Sequence, residues 1–322
     1  MASSRQLRTK IRAVRNIRQI TKAMQMVAAT KMRKAQEAAL NARPYAKKSF
    51  ALLLHLLEHA KTEGFSSPYF GDQSIVGTPK RPVMPWRVAF VVITSDKGLA
   101  GSFNSAVLRL AAKWKKDAEQ KGSVVDIVAV GKRGRDFFKS RGGTVAAEFL
   151  QYSDVATIAD ASLAMNWILE AYDQNRYDAA VVCSTQFISA LTQRPEVHQI
   201  LPLEKEELAG IIEGIVPRTG KYAEIAKGET NDLGGASYLL EPSGRDIFQT
   251  VARDLLQVAI LHLIYESNAG EHSARMIAMK NATENAGDII DTLNLELNKS
   301  RQASITQELS EISTAKEALT NE

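Results

Sequence analysis

The first 43 residues contain neither proline nor glycine, and the last 80, from Ser243 to Glu322, contain no proline and only Gly244, Gly270 and Gly287. Ordinary domains punctuate their helices every dozen residues or so. Two ends this free of breakers predict two very long helices, with everything else held between them. Such ends can pair as a protruding rod, which suits a shaft better than a catalytic pocket. In the N-terminal segment apolar residues fall at Leu7, Ile11, Val14, Ile17, Ile20, Met24 and Val27, near the period of a left-handed coiled-coil seam. The C-terminal segment carries Met276, Met279, Ala282, Ala286, Ile290, Leu293 and Leu297, then Ile305, Leu309, Ile312 and Leu319. NKSRQAS (298–304) interrupts that stripe. Pro44 is expected to bend or locally break the first helix, which resumes through the Leu-rich AKKSFALLLHLLEHAK.

Between the ends the pattern alternates. RVAFVVIT (87–94), VVDIVAV (124–130) and YDAAVVCST (177–185) read as strands; 104–121, 133–140 and 156–174 read as helices. This β-α-β rhythm predicts a small Rossmann-like α/β domain with a largely parallel sheet. Residues 62–86 hold four of the nine prolines and read as a loop. Residues 205–235 read as an insertion, ending at the strand-like ASYLLEP. The expected division is 1–60, N-terminal helix; 61–242, globular domain; 243–322, C-terminal helix.

Charge is distributed unevenly. Residues 1–48 hold 13 Lys and Arg against Glu37 alone, so the remainder is net negative although the chain carries +5. A basic end of this strength calls for an acidic protein surface, nucleic acid or membrane headgroups. No stretch approaches the ~18 apolar residues of a membrane span, and MASSRQLRTKIRAVRN has no apolar signal core. Cys183 is the only cysteine, which excludes an internal disulfide, a dithiol switch and a Cys-cluster metal site.

Motifs with chemistry are few. SDKGLAGSFN (95–104) stands between a strand and a helix, where a phosphate loop would sit. Gly98 and Gly101 do not make G-x-G-x-x-G, and Lys97 precedes the glycines instead of following them. The segment reads as a tight turn, and GKRGRDFF (131–138) fails the same test. His55-Leu56-Leu57-Glu58-His59 matches H-x-x-E-H, but on a Leu-rich helix with no third ligand nearby it reads as a solvated face. Cys183, inside an expected buried strand, reads as core. No catalytic, cofactor or metal residues emerge. The alternative to a shaft is a basic helical nucleic-acid-binding module. Against it, residues 1–44 offer no aromatic for base stacking.

With these residues in view, the chain resembles the γ subunits of F-type ATP synthases. LRTKIRAVRNIRQITKAMQMVAATKMRKAQ (7–36), TSDKGLAGSFN (94–104) and EHSARMIAMKNATENAGDIIDTLNLELNKSRQASITQELSEI (271–312) carry the resemblance. It implies an antiparallel coiled coil of the terminal helices inside a ring of three α and three β subunits, with the α/β domain resting on the ε subunit and the c-ring. It also implies a non-catalytic role without cofactors. Rotation of the shaft, driven by proton or sodium flow through the ring, carries the β sites through their affinity states. The same resemblance implies rotor–stator contacts with β at Met24, Lys31, Arg33, Arg301, Gln302 and Thr306, and foot contacts at Tyr238 and Glu241. It places the chain peripherally on the cytoplasmic face of the bacterial inner membrane. Leu240 and Ala100 depart from residues common in the family, an aromatic and a cysteine, and the regulatory dithiol of chloroplast members is absent.

Overall fold

The computed structural model describes residues 4–63, 69, 86–150, 158–202 and 243–320. The chain begins with helix α1 (Ser4–Glu63), followed by β1 (Arg87–Ile93), α2 (Phe103–Gln120), β2 (Val124–Val130) and α3 (Lys132–Lys139). Then come β3 (Val145–Phe149), α4 (Ile158–Asp173), β4 (Ala179–Phe187), β5 (Gln193–Leu201) and the 77-residue helix α5 (Gly244–Thr320). By their contacts these residues form two units: Ala29–Arg275, and Met1–Ala28 together with Met276–Glu322. Both long helices contribute to both units.

In the first unit the strands form one sheet in the order β3-β2-β1-β4-β5. The first four are parallel, and β5 runs antiparallel to β4 at the edge. Both sheet faces are covered, which is why β1 and β4 are apolar runs instead of alternating ones. On one face Val88, Phe90, Val92, Ile127, Ala129, Val181 and Cys183 pack against Val107, Leu108 and Ala111 of α2 and Phe138 of α3. On the other face Val91, Ile93, Val128, Val130 and Val182 meet α1, α4 and α5 through Leu53, Leu56, Met165, Leu169, Phe248, Leu256, Ile260 and Ile264.

Two strands were not expected. β3 is a half-buried edge of five residues. β5, QRPEVHQIL, is too polar to read as a strand, and its Pro195 is tolerated because it stands at a sheet edge.

Pro44 does not break α1. The proline is exposed, and buried Ala39 and Ala46 on either side hold the helix against the core. A single lost backbone bond on the solvent face does not outweigh that packing. One 18-residue window of α5 reaches mean hydropathy 1.4, enough by composition for a membrane span, and over half of that window is buried. Its neighbourhood supplies the core: Leu255, Leu256, Ile260, Leu263 and Ile264 are each at most 2% exposed.

In the second unit the two helix ends pair antiparallel. The hydroxyl oxygens of Thr283 and Thr21 meet at 2.8 Å across the pair, and each also lies against a carbonyl of its own helix, Thr283 at 2.7 Å from that of Met279 and Thr21 at 3.1 Å from that of Arg18. One turn along, a Cβ on Gly287 would lie 3.8 Å from the Arg18 guanidinium. The buried seam of α1 is Leu7, Ile11, Thr21 and Ala28, with Val14 and Gln25 half-buried. This corrects the expected stripe, since Ile17, Ile20 and Val27 are each more than half exposed. On α5 the seam is Met279, Ala286 and Ile290, continued by half-buried Leu293 and Leu297. From Arg301 to Ser313 every residue of α5 is exposed.

Candidate functional site

In an open α/β sheet, ligands bind beyond the carboxyl ends of the strands where the strand order reverses. Here that point lies between β1 and β4. It is occupied by the chain's own helix α5. Ser267 Oγ accepts the Thr185 N–H at 2.9 Å. Ser273 Oγ donates to the Ala190 carbonyl at 2.5 Å and accepts from Gln193 Nε2 at 3.3 Å. Gly270 is closely approached by the end of β4 and the start of α2: a Cβ there would lie 3.1 Å from Thr185 Cγ2 and 3.6 Å from the Phe103 ring. Arg275, 8% exposed, pairs with Glu271 at 2.6 Å and donates to the Gly98 carbonyl from Nη2 at 3.2 Å.

The donors a phosphate would need are likewise engaged. At the start of α3, Lys132 N–H donates to Asp96 Oδ1 at 2.8 Å, Arg133 N–H to the Ser95 carbonyl at 3.1 Å and Gly134 N–H to Thr94 Oγ1 at 2.8 Å. Ser95 and Asn104 close the turn on themselves, with Asn104 Nδ2 donating to Ser95 Oγ at 2.7 Å and Ser95 N–H to Asn104 Oδ1 at 3.0 Å. SDKGLAGSFN is therefore a fastened turn. Leu99 and Gly101 take φ of 63° and 53° at its tip, and α5 pins it through Gly98. The pinning residues Ser267, Gly270, Ser273 and Arg275 escaped sequence reasoning. The one signal they leave is a polar, small-residue band every three residues within an otherwise apolar helix.

The remaining chemical candidates fare similarly. His55 is exposed on α1, while the side chains of Glu58 and His59 lie outside the described residues. Among the described residues, no group of three or more His, Cys, Asp or Glu is disposed to hold a metal ion. Cys183 is fully buried, and desolvation pushes its thiol up to about 12, so it is not a nucleophile at neutral pH.

Met24 and Lys31 are half-buried and Arg33 is exposed, all on α1. Arg301, Gln302 and Thr306 are exposed on consecutive turns of α5, where Thr306 Oγ1 donates to the Gln302 carbonyl at 2.9 Å. Arg301 lies 18 residues beyond Thr283, the partner of Thr21, which is ~27 Å along the helix. Met24 and Arg301 thus stand far apart on one unit and form no common pocket. Tyr238, Glu241 and residues 205–235 lie outside the described residues. The first turns of α1 present Arg5, Arg8, Lys10, Arg12, Arg15, Arg18 and Lys22, all exposed. Beyond Ser300, Ile305, Leu309 and Ile312 form an apolar stripe that is 46–66% exposed. What this chain offers other molecules is an extended surface, basic at one end and apolar at the other.

Known proteins resemble the chain over its whole length. The ATP synthase family model matches residues 3–319. The ATP synthase gamma chain of Pelotomaculum thermopropionicum is 37% identical over 97% of both chains. That of Cupriavidus pinatubonensis is 38% identical over 97% of this chain and 98% of its own. Among solved structures, a chain of the Euglena gracilis mitochondrial ATP synthase matches with TM-score 0.59 at 17% identity, covering 98% of this chain and 94% of its own. A chain from the Tetrahymena thermophila mitochondrial ATP synthase central stalk and c-ring matches with TM-score 0.55 at 23% identity, covering 82% and 99%. At these identities the structural likeness speaks for the fold. None of these matches supports the nucleic-acid-binding alternative. Full-length similarity well above 30% to gamma chains settles the family: this chain belongs to the ATP synthase gamma chains.

Proposed function

We propose that this chain is the central rotor shaft of an F-type ATP synthase, turning inside a ring of three α and three β subunits. In this reading it is not itself catalytic; ATP is made and hydrolysed in the β subunits. Its foot rests on ε and the c-ring through Tyr238 and Glu241, and the complex sits at the cytoplasmic face of the bacterial inner membrane. The expected division into two terminal helices and a globular domain between them, with an insertion at 205–235, belongs to the same reading.

The observation that carries it is the asymmetric helix pair. α1 and α5 lock antiparallel through Thr21 and Thr283, and α5 then continues from Arg301 with every described side chain exposed. A bare helix bearing Ile305, Leu309 and Ile312 needs an encircling partner to remove that stripe from water. A crevice filled by α5 leaves the globular unit no room for chemistry of its own and ties it to the helix that must turn.

Coupling then rests on contacts that differ between rotational states. The shaft can change a β site's affinity only by as much as its contacts with that site's states differ. Met24, Lys31 and Arg33 meet the acidic levers of β, and Arg301, Gln302 and Thr306 meet a β loop. Polar contacts of this kind are worth on the order of 1–3 kcal/mol each, a roughly 5- to 150-fold shift in occupancy. The test is to co-express a tagged chain with α and β subunits. All three should co-purify, with ATPase activity found only in the assembly. Arg301→Ala with Gln302→Ala should leave the helix folded and lower ATP synthesis several-fold. Failure of the subunits to co-purify removes the reading, and unimpaired synthesis in the double variant removes the assigned contact.

A further inference from the structure

Within the globular unit, α5 meets the β4–β5 hairpin along a polar band that contains titratable groups the shaft does not use. His262 and Glu266 lie one turn apart on α5, 3% and 8% exposed, with Nε2 3.6 Å from Oε1. Two residues apart on β5, and so on one face of the strand, Glu196 and His198 approach within 3.5 Å. Across the interface like bears on like: His262 feels His198, and Glu266 feels Glu196. Neither ring nitrogen of His262 has a hydrogen-bond partner, and Thr185 Oγ1 on β4 and Asn268 Nδ2 on α5 also lack one. The cation on this stretch of β5, Arg194, is turned to solvent and reaches only Glu196, at 4.0 Å. Among the described residues, these are the charged and titratable groups that bear on the pair.

We propose that His262 and Glu266 are a proton-holding clamp between α5 and the β4–β5 hairpin: the pair keeps one proton at neutral pH, and losing it or gaining a second loosens the hairpin from the helix.

Counting protons shows why one is preferred. With none, a buried carboxylate faces Glu196, and no cation among the described residues meets it. With two, a buried imidazolium faces His198. With one, held on the Glu266 carboxyl beside an uncharged imidazole, neither buried group carries a charge. Burial acts in the same sense, raising Glu266 well above the ordinary carboxyl range, helped by Glu196. It lowers His262 to about 3, helped by His198. Folding therefore takes up a proton at Glu266, so that group's share of stability is present below about 4.5 and lost as pH rises toward its folded value. His262 acts oppositely: its share is present above about 6.5 and lost as pH falls toward 3. The two slopes cancel between about 4.5 and 6.5. Outside that window the hairpin opens more readily in both directions, by up to about tenfold per pH unit.

Hydrogen-exchange mass spectrometry on the full chain from pH 4 to 9, corrected for the intrinsic chemical rate, tests this. Protection of residues 193–201 should be greatest at pH 5–6.5 and fall by up to tenfold per unit above it. Glu266→Gln, which mimics the protonated carboxyl, should abolish the alkaline loss and bring the acid loss up to pH 6.5. His262→Asn should abolish the acid loss. A flat wild-type profile, or the same alkaline loss in Glu266→Gln, overturns the proposal. Should Glu266→Gln fail to fold, difference infrared spectroscopy of the wild type decides. A protonated-carboxyl band that disappears in step with protection supports the clamp, and no such band at neutral pH overturns it.

Discussion

A Cβ built on Gly131 would lie 2.1 Å from the Thr94 carbonyl oxygen and 2.7 Å from its carbon, with the backbone already at φ 95°. No rotamer relieves a clash between two backbones, and an L side chain is strained at that φ whatever the space. The glycine lets α3 start directly against the end of β1, where Thr94 Oγ1 accepts the Gly134 N–H. Gly134 is close-packed too, its Cβ position 3.0 Å from the same hydroxyl oxygen. The two glycines of GKRG thus serve helix–strand packing, and no anion is needed to explain them. Gly131→Ala should cost about 2–4 kcal/mol, read as a fall in the urea midpoint. Gly142→Ala is the control: its φ of 72° is also positive, but nothing lies within 4 Å of its Cβ position, so its cost should be about 1 kcal/mol. Equal costs at the two positions would mean that close packing against Thr94 contributes nothing.

At the scale of elements, the helix pair of the second unit is joined through hydroxyls. Thr21 is 9% exposed, and its oxygen meets that of Thr283 across the interface. Replacing either threonine alone by valine removes the bond across the interface and should cost on the order of 1 kcal/mol, the remaining hydroxyl keeping the carbonyl of its own helix, Arg18 for Thr21 and Met279 for Thr283. Replacing both should cost no more than replacing one, so a double-mutant cycle on thermal unfolding should return a coupling of about 1 kcal/mol. Additive costs would show that the two residues do not interact. These same positions show where local pattern failed. The helices were legible from missing breakers, but the extent of α1 was not, since Pro44 read as a break and the helix runs through it. The seam was not, because Ile17, Ile20 and Val27 outweigh Thr21 and Ala28 on any hydrophobicity count. Close approach of two helices favours small residues at the contact, and a strict four-three alternation from Leu7 reaches Arg18, Thr21, Gln25 and Ala28 instead. β5 was hidden for a related reason: an edge strand that faces a polar band of α5 carries Glu196 and His198 where a core strand carries valine. The filled crevice was beyond any local reading, since Arg275 reaches Gly98 across 177 positions of sequence. The turn at 95–104 could be recognised as no phosphate loop, but what occupies its place could not.

For the molecule as a whole, charge decides how it meets partners. Thirteen cations against one acid in the first 48 residues leave a field of one sign along the start of α1, and the seven cations between Arg5 and Lys22 are all exposed. The paired stretch of α5 answers with Glu284, Asp288, Asp291 and Glu296, also exposed. Lys280 and Glu284 pair within that helix at 3.8 Å. Exposed pairs of this sort add little to stability, so most of the positive field remains available outside the chain. Its effect should appear in association more than in affinity, because long-range attraction steers encounter and is screened within about 10 Å at 0.1 M salt. Assembly of the chain with the α and β subunits proposed as its partners, followed by stopped-flow fluorescence, should slow roughly tenfold or more as salt rises from low to several tenths molar. Arg8→Glu with Arg15→Glu should slow it further at low salt while leaving dissociation and the unfolding midpoint unchanged, since neither side chain is buried. An assembly rate indifferent to both salt and charge reversal would mean that the apolar face at Ile305, Leu309 and Ile312 governs entry, and the basic end would have no part in partner capture.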